Sequence, residues 1–250
     1  MIPKLIHHVW VGAKPFPAEA RGFIETWKRL NPDFRVIEWN ESNIDFSPRF
    51  IRQAYGVRAY NRVANYVRMA ALFTHGGIYM DHDVELLQPL DALLHNECFA
   101  GFQTRRADAR DVVNNAVVGA VPGHPFIGDV LGALDRMNGA MDVGSGSGPG
   151  LFSRILRQGG SLPIEDHPVV VRGVTLYPPR YFYPYEWDEP FDPACITPDT
   201  VGVHRWAHTW GKPRPGRLRK IRNRLKAKLV GLFPTAASHA VRLDNVTVEI

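Results

Sequence analysis

At 250 residues the chain is sized for one large α/β domain or for a domain with an appendage. Hydrophobic residues make up 45%, with 6 Trp, 8 Tyr and 13 Phe, enough for a substantial core, and no apolar run reaches the ~18 residues of a membrane span. The net charge of +5 is lopsided: ten basic residues against two acidic ones give residues 211–250 a charge of +8 and leave −3 on residues 1–210. A nearly neutral body argues against a nucleic-acid groove, so no nucleic-acid partner is expected. The opening MIPKLIHHVWVG lacks the apolar core of a secretory leader, and Cys98 and Cys195 have no metal-ligand spacing. A reducing cytoplasm is the expected compartment.

Residues 4–11 read as a first strand, and Ala18–Leu30 as a helix with Phe23, Trp27 and Leu30 on one face. Asn31-Pro32-Asp33 turns the chain into a second strand, FRVIEW, over 34–39. That order predicts a parallel βαβ unit. A short helix around Phe50–Tyr55 precedes a long one from about residue 58 to His75. On the long helix Asn61, Asn65, Arg68 and Leu72 share a stripe, while Val63, Val67 and Ala70–Ala71 should face the core. Gly76-Gly77 breaks the helix, Ile78-Tyr79-Met80 is a buried strand, and an acidic loop with Asp81 and Asp83 follows.

Strands are further expected at Phe99–Phe102 and 114–120, and helices at Ile127–Met137 and 151–158. The glycine-rich stretch 142–150 suits either close approach to a ligand or a plain surface connection. Residues 174–195 hold five prolines and seven aromatic residues, readable as the wall of a sugar cleft or as irregular core packing. VGVHRWAHTW (201–210) closes the body. After GKPRPG, residues 217–233 place Leu218, Ile221, Leu225, Leu229 and Leu232 at offsets of 3 and 4 among basic residues. This is the pattern of a basic amphipathic helix, suited to an anionic membrane surface, to the chain's own body, or to RNA.

The loop leaving the C-terminal end of an α/β strand is a usual place for ligands. Two carboxylates one residue apart there suit a hard divalent cation, Mn²⁺ or Mg²⁺, with coordination positions left for phosphate oxygens and water.

Three stretches taken together, IPKLIHHVWVG, GGIYMDHDVELLQPLD with the preceding Arg68, and HRWAHTW, resemble glycosyltransferase family 32 over residues 2–210. That family includes yeast-type α-mannosyltransferases and bacterial capsule and lipopolysaccharide enzymes. The resemblance implies a GT-A type, Rossmann-like α/β fold over 1–210, with 211–250 a basic appendage. It implies that Trp10 holds the nucleotide base and that Arg68 approaches the donor's sugar or phosphates. Asp83 matches the metal-binding aspartate, Asp81 the one reaching ribose, sugar and metal-bound water, and His204 a third metal contact. Thr209 and Trp210 match a pair reaching the diphosphate, and Asn115 lies in NAVVGAVPGHPF, a segment that also resembles the family. One departure stands out: Ala64-Asn65 replaces the usual Ser-Asp before the arginine, which changes a pure acceptor into a group that also donates.

The implied activity is retaining, metal-dependent sugar transfer from a UDP- or GDP-linked donor to a saccharide, on a lipid-linked or cell-surface glycan precursor. No covalent nucleophile is required, because the leaving phosphate can take the acceptor's proton. Such an enzyme would sit on the inner face of the cell membrane. The rival readings are a non-catalytic nucleotide-sugar-binding protein and a metal-dependent phosphoester hydrolase. From the sequence, Asp83→Ala is expected to abolish transfer and spare the fold.

Overall fold

The computed structural model describes residues 1–106, 109, 111–141 and 146–207. Its centre is a seven-stranded mixed sheet in the order β2-β1-β3-β6-β5-β8-β7. β1 (Leu5–Val9), α1 (Ala18–Leu30) and β2 (Arg35–Trp39) form the expected parallel unit, and β3 (Gly77–Met80) lies parallel to β1 on its other side. Beyond β3 the direction changes. β6 (Val113–Ala120) runs antiparallel to both β3 and β5 (Cys98–Phe102), β8 (Val174–Tyr177) is parallel to β5, and β7 (Val169–Val171) closes the edge. A separate two-stranded ribbon pairs β4 (Val84–Leu86) with β9 (Gly202–His204).

Alternation along the strands feeds two cores. Tyr79 joins Val63, Val67, Leu72, Phe126 and Phe152 beneath α2 (Arg49–Gly56), α3 (Tyr60–His75), α4 (Pro125–Arg136) and α5 (Pro149–Leu156). Ile78 and Met80 point the other way, to Ile24, Trp27, Val84 and Phe99. Tyr177, Phe182, Tyr183 and Tyr185 lie buried in this second core, so these four residues of the proline-rich aromatic segment are core packing, while Trp187 is exposed. Leu72, on the stripe opposite the expected core face, is also core, while Ala70 is only partly buried. Cys98 and Cys195 are free thiols. Among the described residues no helix is long and apolar enough to cross a membrane. The basic stretch 217–233 lies outside the described residues.

The turn that launches β3 is pinned from the neighbouring strands. Gly76 ends α3 with φ +65° and Gly77 follows at φ +99°, a region costly for any side chain. A Cβ on Gly77 would also lie 2.8 Å from both the Cβ and the carbonyl oxygen of Leu5 on β1. Gly77→Ala is therefore expected to destabilise the fold by about 3 kcal/mol, read as a lower urea midpoint.

His7 on β1 completes the restraint. Trp39 Nε1 can only donate, at 3.2 Å to His7 Nδ1, so the neutral ring carries its proton on Nε2 and donates it to the Gly76 carbonyl at 2.8 Å. Burial lowers the His7 pKa from 6.5 to about 4, and burial likewise lowers His8 to about 4. Between these values the unfolded chain binds protons that the folded chain refuses. Stability is thus full above pH 6.5 and falls as the pH drops towards 4, by about 3 kcal/mol per histidine. Urea titrations at stepped pH are expected to show this fall, with a shallower one in His7→Gln; an equal slope in that variant would assign the loss to other groups.

Candidate active site

Asp81 lies just beyond β3, where its backbone N–H donates to the Ala116 carbonyl of β6 at 2.8 Å. Its Oδ1 accepts from Arg68 Nη2 and from the Tyr79 hydroxyl, both at 2.8 Å. Tyr79 precedes Asp81 by two residues on an extended strand, the spacing that puts both on one face. Its chemistry was hidden in the sequence because it sits inside an apolar run. Arg68 is only 4% exposed and stacks its guanidinium over the Tyr79 ring, 4.3 Å from the centroid. Its Nη1 donates to the Asn115 carbonyl. Arg68 thus ties α3 to β3 and β6.

Asp83 and His204 meet through the ribbon, since Val84 on β4 pairs with His204 on β9. The His204 Nε2 is 3.1 Å from Asp83 Oδ1, and the Ala207 N–H donates to Asp83 Oδ2 at 2.8 Å. Burial by itself would raise the Asp83 pKa, but the positive charge and hydrogen bond of His204 hold it well below the usual carboxylate range. Burial opposes protonation of His204 as well, and Asp83 reverses that and raises its pKa.

Arg68, Tyr79, Asp81 and His204 border a cavity of about 220 Å³, lined also by Asn61, Asn65, His82, Asn114, Asn115 and Gly148. Asn65 Nδ2 donates to Ser147 Oγ at 3.1 Å, and Asn65 Oδ1 accepts from Asn115 Nδ2 at 3.3 Å. A Cβ on Gly148 would come within 3.1 Å of Asn65 Nδ2, so the glycine lets the backbone crowd the amide. The glycine-rich stretch is therefore more than a surface connection where it is described. Trp10 is 8% exposed and stands edge-on to Phe16 and His82, with its indole N–H on the Lys14 carbonyl at 3.0 Å. It backs the cavity through His82. Thr209 and Trp210 lie outside the described residues.

Asp81, Asp83 and His204 each offer a ligand atom, all within 4.8 Å of one another. The His204 Nδ1 is buried with no partner among the described residues, and Asp81 keeps one oxygen clear of the Arg68 and Tyr79 bonds. Two carboxylates and one imidazole fit Mn²⁺ or Mg²⁺ with room for further oxygen ligands. The same geometry corrects the expectation that Asp83→Ala spares the fold. Removing the carboxylate strands the buried His204 and the Ala207 N–H, at an expected cost of about 3 kcal/mol in a urea melt. Asp83→Asn keeps an oxygen for the backbone donor and should lose less stability, while both variants weaken Mn²⁺ binding by calorimetry about 100-fold.

Comparison with known proteins bears on this arrangement. Residues 17–100 match the family model described as the glycosyltransferase sugar-binding region containing the DXD motif. An uncharacterized glycosyltransferase of Acanthamoeba polyphaga mimivirus is 29% identical over 161 residues, covering 61% of this chain and 63% of that protein. Inositol phosphoceramide mannosyltransferase 3 of Schizosaccharomyces pombe is 34% identical over 142 residues, 54% of this chain and 38% of that protein. The chain thus spans less than two thirds of these two relatives, one viral and one fungal. Among solved structures the PaToxG glycosyltransferase shares the fold with a TM-score of 0.54 at 20% identity, covering 63% of this chain and 70% of that one. With an Asp-x-Asp at the end of β3 and a GT-A type α/β fold beneath it, residues 17–100 match a glycosyltransferase sugar-binding region containing the DXD motif, and the chain is similar to the DXD-containing sugar transferases.

Proposed function

We propose that this protein transfers a sugar, with retention of configuration, from a UDP- or GDP-linked donor to a saccharide hydroxyl. The observation that carries the reading is the convergence of Asp81, Asp83 and His204, of which Asp81 and His204 border an amide-lined cavity. These three residues would hold Mn²⁺ or Mg²⁺, which when bound supplies positive charge to the diphosphate as the anomeric bond breaks. Arg68 positions Asp81 and adds a fixed buried charge to the same wall. Asn65 and Asn115 face the donor sugar. With Asn65 Oδ1 given to Asn115 and one N–H to Ser147, its second N–H is the group left for a sugar oxygen.

The base lies towards His82, with Trp10 behind it; the assignment of Thr209 and Trp210 to the diphosphate rests on the sequence. The fungal relative is named for inositol phosphoceramide, a lipid-borne substrate. Together with the basic amphipathic pattern of residues 217–233, that name supports a lipid-linked or surface-glycan acceptor reached from an anionic membrane face.

A panel of UDP- and GDP-sugars with Mn²⁺ tests the donor. One of them at ~100-fold excess over its Kd is expected to raise Tm by about 5 °C, and EDTA to remove the gain. Asp83→Asn should abolish both that gain and turnover of the same donor. Absence of any donor-dependent shift with the metal present would sink the proposal.

A further inference from the structure

A second cavity of about 230 Å³ has Gln103, Thr104, Arg106, Asp111, Glu186 and Trp187 in its wall. It is coupled to the first through Asn114, which lines the first cavity and donates its amide to Gln103 Oε1 at 2.6 Å. Gln103 Nε2 in turn donates to the Asp111 carbonyl, so both ends of the Gln103 amide are fixed. Trp187 is 49% exposed, whereas Tyr177, Phe182, Tyr183 and Tyr185 of the same segment are buried.

An exposed indole alone is ordinary. What distinguishes this one is the oriented carboxylate beside it. Thr104 is buried; its hydroxyl donates to Glu186 Oε1 at 2.8 Å while accepting the Arg106 N–H at 3.1 Å. Glu186 is thereby held with one oxygen engaged, and its other oxygen has no partner among the described residues. The Arg106 guanidinium supplies a donor on the same wall. A flat apolar ring, a fixed acceptor and a cationic donor are the complement of a pyranose, which offers a C–H face with hydroxyls around its edge. The volume lies below the ~300–1,000 Å³ of pockets for drug-sized ligands and suits a single sugar ring.

We propose that this cavity is the acceptor subsite, with Trp187 stacking on the acceptor's ring and Glu186 selecting its hydroxyls. The proposal rests on the transferase reading above, and it gives the Asn114–Gln103 bond a role in holding the two sugar sites side by side. Trp187 is half exposed and outside both hydrophobic cores, so its replacement is expected to leave the fold and the donor cavity in place.

Saturation-transfer NMR with the methyl α-glycosides of mannose, galactose, glucose and N-acetylglucosamine reads this site directly. UDP and GDP with Mg²⁺, added to the same samples, read the donor cavity. At least one glycoside is expected to bind the unmodified protein, to weaken about tenfold or more in Trp187→Ala, and to recover in Trp187→Phe. Glu186→Gln is expected to weaken it too, with nucleotide binding unchanged in all three variants. Glycoside binding equal in Trp187→Ala and the unmodified protein, or none to the unmodified protein at millimolar concentration, would overturn the subsite while nucleotide binding upholds the donor reading. Glycoside binding that depends on Trp187, without nucleotide binding in any form, would instead overturn the transferase reading and with it the acceptor role.

Discussion

The contact between Asp83 and His204 is the one on which the arrangement of the site depends. Each residue is buried, and each would be costly alone: a carboxylate without a counter-charge, or an imidazole without an acceptor. Together they hold the end of β9 against the turn that follows β3, and the Ala207 N–H and the Arg205 N–H on the Asp83 carbonyl extend the clasp into the backbone. A divalent ion held by Asp81, Asp83 and His204 would supply positive charge where the His204 proton now meets Asp83.

Arg68 has the complementary task on the other side of Asp81. Its contacts run to Asp81, to the Asn115 carbonyl and to the face of Tyr79. A long cation with so many internal partners has little freedom left, so the orientation of Asp81 is set when the protein folds and needs no donor to arrange it. The amides behave alike: Asn65, Asn115 and Ser147 are bonded to one another before any sugar arrives. Among the described residues, the cavity is a prearranged polar wall whose one lining carboxylate is Asp81.

Much of this was legible in the residues. The span of α1, the parallel β1–α1–β2 unit and the break at Gly76-Gly77 all follow from periodicity and turn chemistry, because local sterics decide them. The Asp-x-Asp was legible for the same reason, as it lies at a strand end beside a glycine turn. What stayed hidden depends on tertiary packing. An aromatic-rich segment has the same composition as core or as cleft wall; only the structure separates buried Tyr183 from exposed Trp187. Likewise nothing in an N-x-x-x-N-x-x-R stripe tells a solvated helix face from one turned against a sheet, and Arg68 proves to be the second.

The ribbon also bears on how the protein comes into being. Glu85 and Arg205, paired across it, are 120 residues apart in the chain. Contacts of such separation close late, because the entropy of a long loop must be overcome before they return any energy. During synthesis the Asp-x-Asp turn, the di-glycine break and the parallel strands can assemble while His204 is still unmade. For that interval a nascent chain carries Asp81 and Asp83 without His204, and the cluster of three is completed only once β9 has emerged. The sequence order therefore postpones the Asp81–Asp83–His204 cluster until the strands around it have been made.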